Sequence, residues 1–320
     1  MNKTAVNWKS VRDSGGVWIA LAVFLAVAMI SNASFRSPQN LVNITRQVSY
    51  SGIIALGMTF VIAAGGIDLA VGSLFALAGV VSLFAMHAAG ASEAMQLLAG
   101  FGAALGVGVA GGALNGVMVG AARIQPFIVT LGTMSIFRSL ALYFADAGLV
   151  STDNGLYGRA VSAELAGIPL PTLTLLGLTA VLAVMLKLTR FGRHVCAVGS
   201  NERVARYSAI RTGAVKFWTY VLVGGLAGLS AFLLGGRLNS VSSSGAGMLY
   251  ELDAIAAVII GGTAMTGGKA TVPGTLAGVL LLGIVSNVLD MWGVSVNLQG
   301  TVKGLVIIIA VLIQYKRKDA

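Results

Sequence analysis

The sequence predicts an all-α integral membrane protein with about ten transmembrane helices, and three observations carry that prediction. Of the 320 residues, 57% are hydrophobic and only 10% are charged, against about 25% charged in an ordinary soluble domain. Mean hydropathy is +0.89, more apolar surface than the interior of a soluble chain of this length can hide. The apolar residues fall in long unbroken runs rather than alternating ten-residue strands. That selects helices over a closed barrel, the two architectures that pair every backbone polar group in lipid.

The runs occupy residues 15–33, 48–64, 68–88, 95–120, 126–145, 172–188, 216–235, 253–265, 272–290 and 298–314. Each is long enough, or nearly so, for a hydrocarbon core of about 30 Å. The first follows Lys3, Lys9 and Arg12 and superficially resembles a signal peptide. It runs to Ile30 without a clean small-x-small cleavage pattern, so it reads as a retained first helix. The eighth is short and is expected to tilt, to be partly re-entrant or to extend into its flanks. The chain reads as a single transmembrane domain. It has a cytoplasmic N-terminal tail 1–14, a cytoplasmic loop 189–215 and a cytoplasmic C-terminal tail 315–320.

Charge orients these spans. With the N-terminus in the cytoplasm, fifteen of the 21 Lys and Arg fall on inside segments, and Arg36, Arg46, Arg159 and Arg237 fall outside. Excess basic residues mark the cytoplasmic side, so both termini are placed there. Glu93, Asp153, Glu164 and Glu251 are assigned to external loops. Arg138 and Lys303 fall within spans. Arg138 is expected to snorkel or to pair with Asp146, and Lys303 to pair with a neighbouring helix. The net charge of +10 is not accompanied by basic–aromatic interleaving, which argues against nucleic acid as a partner.

The longest inside loop contains a turn at Gly199-Ser200-Asn201 that offers a helix cap. A short helix is expected over Glu202 to Ile210, stopped by Gly213. Asn201, Glu202, Arg203, Val204, Ala205, Arg206, Tyr207 and Ser208 form this basic knob. It is either a charge cluster that fixes topology or a docking element for a soluble partner.

An internal repeat joins two distant segments. Gly65-Gly66, five residues and then Gly72-Ser73-Leu74 recur as Gly267-Gly268, five residues and then Gly274-Thr275-Leu276. Each copy is expected to end one apolar segment and open another, as paired interrupted helices do beside a transport pathway. Asp68 lies inside the first copy. An intramembrane carboxylate needs a reason: a coupling-ion site, or a cap for a helix starting at Leu69, which is the preferred reading.

Catalytic chemistry is absent from the sequence. It contains no Gly-x4-Gly-Lys-Ser/Thr phosphate loop and no Gly-x-Ser-x-Gly elbow. His87, His194 and the single Cys196 are too few and scattered for a metal centre. No cofactor is expected, and active transport would draw on an ion gradient or a separate ATPase. Abundant Gly and Ala favour close helix packing, and sparse polar residues favour a weakly binding conduit.

Four ordered motifs resemble one family. Ala55 to Ser73, Gln125 to Thr133, Gly192 to Arg206, and Ile259 to Gly268 with Pro273 to Thr275 are similar to ABC importer permeases of the ribose/xylose/arabinose type. The resemblance spans about residues 48–314. Departures at Ser139, Val204-Ala205-Arg206 and Ala270 are expected at packing positions. The resemblance implies a vitamin-B12-importer-like (type II) permease in a bacterial inner membrane, passing a ribose-type monosaccharide. It implies a homodimer, with ATP-binding domains beneath and a periplasmic sugar-binding protein outside. Glu202–Ser208 would be the coupling helix, and the pathway would draw on the second to fifth spans and their later counterparts. The alternatives are a branched-chain amino-acid permease and an ion-coupled transporter using Asp68.

Overall fold

The computed structural model describes residues 8–31, 33–90, 92–295, 298–302, 304, 305 and 308. Lys303, the C-terminal tail, residues 1–7 and most of the tenth predicted span lie outside the described residues.

Helix starts follow local chemistry. α1 (Trp8–Ser31) and a 3-10 turn (Ala33–Arg36) lead into α2 (Pro38–Ala63), whose cap Ser37 accepts from Asn40 N at 3.2 Å. α3 (Val71–Ala88), α4 (Glu93–Gly120) and α5 (Pro126–Phe144) follow. β1 (Leu149–Ser151), α6 (Gly155–Ser162) and the two-stranded hairpin β2 (Glu164–Leu165) and β3 (Ile168–Pro169) come next. α7 (Leu170–Leu188), α8 (Arg190–Ser200), α9 (Glu202–Tyr207) and α10 (Thr212–Leu238) complete the middle of the chain. After β4 (Ser240–Ser242) come α11 (Tyr250–Ile260) and α12 (Val272–Met291). All five prolines punctuate helix starts: Pro38, Pro126, Pro171 and Pro273 in first turns, Pro169 at the cap of α7. Proline lacks the N–H that a first turn leaves unpaired anyway.

Seven helices, α2, α3, α4, α5, α7, α10 and α12, are long and apolar enough to cross a membrane. α1 contributes a further apolar stretch, Gly16–Ile30. The protein is an all-helical, multi-pass membrane protein. α2 is the central post: 83% of its apolar window is buried, against 28% for α4 and α5 and 33% for α7. Those three turn most of their surface outward.

The tightest seam joins α4 to α10. Gly108, Gly112, Gly116 and Gly120 form one edge of α4, packed on Gly224, Tyr220, Phe217 and Gly213 of α10. A Cβ on Gly112 would collide with Tyr220 O and lie 3.1 Å from Val221 Cα. With no hydrophobic drive between helices in lipid, such backbone approach supplies the dispersion energy that holds them. At one end of the bundle Arg46 pairs with Glu164 at 2.6 Å and Arg159 approaches Glu93 at 3.7 Å. At the other, Glu202 pairs with Lys216 and Arg206.

The eighth segment is the main irregularity. α11 has 11 residues, about 16 Å of helix, roughly half a span. The chain reaches it through residues 239–249. Asn239 ends α10 in the left-handed conformation (φ 48°), and β4 pairs antiparallel with β1. Val241 then lies against Gly79, and Gly247 against Gly72. The segment therefore passes along α3 toward the opposite end of the bundle, so the short helix is extended by its preceding flank, one of the three sequence expectations. Non-helical backbone at this depth persists only where protein satisfies it. Arg138 does so: its guanidinium donates to the carbonyls of Ser243 (2.9 Å), Ser244 (3.3 Å) and Ala246 (3.0 Å). That replaces the expected pairing with Asp146. Glu251 is not in an external loop either, because its carboxylate lies against Gly72 in the first turn of α3.

Candidate transport and docking site

Two helix breaks and one surface helix pair define the site. α2 stops in a Schellman turn: Gly65 (φ 79°) bonds Ile62 O at 2.9 Å and Gly66 bonds Val61 O at 2.9 Å. α11 stops the same way. Gly262 (φ 91°) bonds Ile259 O at 2.9 Å and Thr263 bonds Val258 O at 3.1 Å. The helix stop that matches Gly65 is thus Gly262, not the predicted Gly267-Gly268. Gly267 and Gly268 form a later turn, with φ of 81° and 84°, before Thr271 caps α12 by accepting from Gly274 N at 3.2 Å. The repeat is therefore real as helix–break–helix, but its spacing in sequence hides a longer second break.

The breaks touch. Gly268 N donates to Ala63 O at 3.0 Å, and Thr59 and Thr275 hydroxyls meet at 2.8 Å across α2 and α12. Gly72 and Ser73 open α3 and are buried. Asp68 is fully buried between the helices. α3 begins at Val71 rather than Leu69 and its cap position is Ala70, so Asp68 is not the cap residue. It accepts from Ala70 N at 2.8 Å, bracing the turn one step earlier. Its second carboxylate oxygen meets no strict hydrogen-bond geometry among the described residues, and the side-chain amide of Asn115 of α4 faces it as the nearest polar group.

The loop 189–215 is mostly helical. The expected turn at Gly199-Ser200-Asn201 is instead the end of α8, capped at its start by Thr189, which accepts from Gly192 N at 3.2 Å. α8 buries Gly192, Val195 and Val198 on one face, a three-residue spacing that continues the core. Asn201 caps α9, accepting from Val204 N at 3.1 Å. α9 ends at Tyr207, short of the expected Ile210. The stop is Ala209 (φ 60°), with Ile210 N returning to Ala205 O at 3.1 Å. Gly213 lies inside α10 and stops nothing.

α9 buries only Ala205 and presents Arg203, Arg206, Val204 and Tyr207 outward, the last two 57% and 91% exposed. Val204 is thus no packing position, and neither is the exposed Ser139. Glu202 holds the helix to α10, accepting from Lys216 at 2.6 Å and from Arg206 at 3.0 Å. These bonds, Lys216 first, keep its carboxyl below the ordinary glutamate range. Burial pushes the Cys196 thiol up, which opposes a reactive thiolate.

The two parts meet at Gly199. Its Cα lies against both breaks, where a Cβ would collide with Ala63 O and sit 2.6 Å from Gly268 N. A cleft of about 700 Å³ separates α9 from the α4–α5 turn and is lined by Arg123, Arg203, Arg206 and Lys216 among others. A recess of about 440 Å³ opens beside the first break, lined by Gly65, Gly66, Gln125, Phe127 and Met265. The lining at Phe127 and Met265 was not named from sequence, because it depends on how α5 faces the breaks.

The family model for the permease component of branched-chain amino acid transport systems matches residues 40–311. The ribose import permease of Bacillus subtilis (strain 168) is 39% identical over 317 residues, covering 98% of this chain and 96% of its own. That of Escherichia coli (strain K12) is 40% identical over 305 residues, covering 94% and 93%. The L-arabinose transport system permease of the same strain is 30% identical over 320 residues, covering 99% and 95%. With its motifs, its helices and these relatives in agreement, the chain belongs to this permease family, and within it to the ribose/xylose/arabinose type of ABC importer permease.

Proposed function

We propose that the chain is the membrane-spanning subunit of an ATP-driven importer that passes a ribose-type monosaccharide from an external binding protein to the cytoplasm. It works as a homodimer in lipid, with both termini cytoplasmic. Hydrolysis belongs to a separate ATPase, since this chain has no phosphate loop. The observation that carries the reading is the seating of Gly199 against both helix breaks, directly before the exposed α9. A push on α9 reaches Gly65 and Gly268 without crossing a flexible linker. Asn201 to Ser208 are then the coupling element, with Tyr207 and Arg206 as anchors of the kind that dominate interfaces. The cargo rests on near-full-length similarity to two ribose import permeases.

In proteoliposomes, ribose uptake should require the ATPase, ATP and the binding protein. Arg203→Glu with Arg206→Glu should abolish recovery of the ATPase in a pulldown. Retention of ATPase binding by the double variant would sink the coupling assignment. Gradient-driven uptake by the chain alone would instead favour ion coupling through Asp68. The family description favours one second reading, a branched-chain amino-acid cargo; leucine uptake in place of ribose uptake under the same conditions would establish it.

A further inference from the structure

The cleft between α9 and the α4–α5 turn, about 700 Å³, falls within the range of small-molecule sites, about 300–1,000 Å³. Four cations line it: Arg123 from the turn, Arg203 and Arg206 from α9, and Lys216 near the start of α10. Glu202 is the one carboxylate among the described lining residues, and Lys216 (2.6 Å) and Arg206 (3.0 Å) already hold it. The guanidiniums of Arg123 and Arg203 have no hydrogen bond or ion pair with any described residue. Like charges gathered beside a low-dielectric bundle repel one another, and an anion between them would relieve that.

Arg123 is kept there at a backbone cost. α4 unwinds through Ala122 N to Val117 O (3.0 Å) and Ile124 N to Met118 O (3.1 Å), with Arg123 between them in the left-handed conformation, φ 58°. After α2 and α11 the chain puts Gly65 and Gly262 at such positions. A residue with a Cβ is strained there, and strain retained at a turn points to a use for the side chain. α9 also divides its surface. Glu202, Arg203 and Arg206 line the cleft, whereas exposed Val204 and Tyr207 stand outside its lining. The basic face is therefore distinct from the apolar and aromatic one open to a soluble partner.

The level of the cleft selects its occupant. It lies where α4 ends at Gly120, α5 begins at Pro126 and α10 begins at Thr212. The ends of three spanning helices mark the headgroup region rather than bulk solvent. Exposed Ile124 forms part of the lining, and Leu114, Val117 and Ile128 continue exposed apolar surface along α4 and α5. Basic pockets at this level take anionic headgroups, and guanidiniums grip phosphate oxygens in pairs. A zwitterionic headgroup would bring its own ammonium among four cations. We propose that the cleft seats the phosphate of an anionic phospholipid such as phosphatidylglycerol, bridging Arg123 on the α4–α5 turn to Arg203 on α9. The lipid then ties α9 to the ends of the spans, so the position of that helix depends on the composition of the membrane. The proposal rests on the membrane placement of the helices and not on the cargo.

The test uses the full chain in mild detergent, with retention of the first bound lipid read by native mass spectrometry. Phosphatidylglycerol should be retained in preference to phosphatidylcholine. Arg123→Gln should weaken phosphatidylglycerol roughly fivefold, the effect of one cation lost near a lipid phosphate. Arg123→Lys should keep most of the affinity, and Arg159→Gln, at the opposite end of the bundle, should leave it unchanged. Arg123→Gly separates binding from folding. It relieves the left-handed backbone, so without lipid it should melt no lower than the wild type, yet it should lose phosphatidylglycerol as Arg123→Gln does. Equal retention of the two lipids, unchanged retention by Arg123→Gln or Arg123→Gly, or an equal loss in Arg159→Gln would overturn the proposal. So would displacement by an equal concentration of glycerol 1-phosphate, which would make a soluble phosphoester the occupant. Displacement when the ATPase is added would assign the cleft to a protein interface and overturn it as well.

Discussion

At the scale of single residues, two side chains outside the spans make opposite titration predictions. Glu202 is held ionised chiefly by Lys216. A carboxyl whose folded value is depressed contributes stability above its ordinary value, and that contribution disappears as pH falls through the folded value. Acidification below about pH 4, the ordinary glutamate range, should therefore release α9. Protection of the Val204 and Ala205 amides against hydrogen exchange, taken relative to the intrinsic rate at each pH, should fall there and stay constant between about pH 6 and pH 8. Glu202→Gln should reproduce the release at neutral pH. It should cost under about 1 kcal/mol, because the pair is partly exposed and screened. Cys196 behaves in the other sense. Burial favours its neutral thiol, so alkylation at neutral pH should be slower than for a free cysteine and should keep accelerating past pH 9. Fast alkylation at pH 7 would show that α8 leaves its packed position. Neither prediction is legible from residue type, since Glu202 sits fourteen positions before Lys216 and only the fold of α9 onto α10 joins them.

At the scale of elements, hydropathy locates helices well and breaks poorly. Each of the nine runs predicted before residue 298 overlaps a helix, because an apolar run in lipid has little alternative to helix, but the eighth yields only the half-span α11, with residues 261–265 outside it. What hydropathy misses is irregular backbone paired over long distances. The β1–β4 pairing joins residues 149–151 to 240–242, and nothing in either triplet marks the other. Arg138 was visible as a cation within a span, but its three carbonyl partners exist only because residues 243–246 turn into the bundle. Arg138→Met should leave those carbonyls unpaired at depth, at about 1–3 kcal/mol each where no water reaches them. Thermal unfolding in nanodiscs should fall sharply, and proteolysis between Asn239 and Leu249 should rise. Arg138→Lys should recover only part of the loss, since its ammonium lacks the planar fork. The α4–α10 seam is the more legible case, with glycine at every fourth position from 108 to 120. Gly112→Ala should separate the helices at Tyr220 and destabilise by about 1–3 kcal/mol, whereas Ala at Gly102, which faces open space, should be neutral.

At the scale of the whole molecule, the sequence repeat and the basic helix are parts of one arrangement. Residues 63, 199 and 268 are far apart in the chain, yet Ala63 O accepts from Gly268 N while Gly199 packs on both. The repeat in sequence pointed to the breaks, and the charge pattern pointed to α9. Their contact was hidden because α8, the strut between them, reads as a loop: it is short and half polar, and its Val195 and Val198 count as apolar only once they face the core. The arrangement makes Gly199 the point at which the end of α8, next to the exposed α9, touches both breaks. Gly199→Ala must displace either Ala63 or Gly268, while Gly177→Ala on α7, where no atom lies within 4 Å, must displace nothing. On the importer reading, Gly199→Ala should keep the ATPase bound and hydrolysing while ribose uptake falls by an order of magnitude or more. Such a separation of hydrolysis from uptake corresponds to about 1.4 kcal/mol per tenfold loss of coupling. Uptake and hydrolysis falling together, with the chain still folded, would place the connection elsewhere than at this glycine.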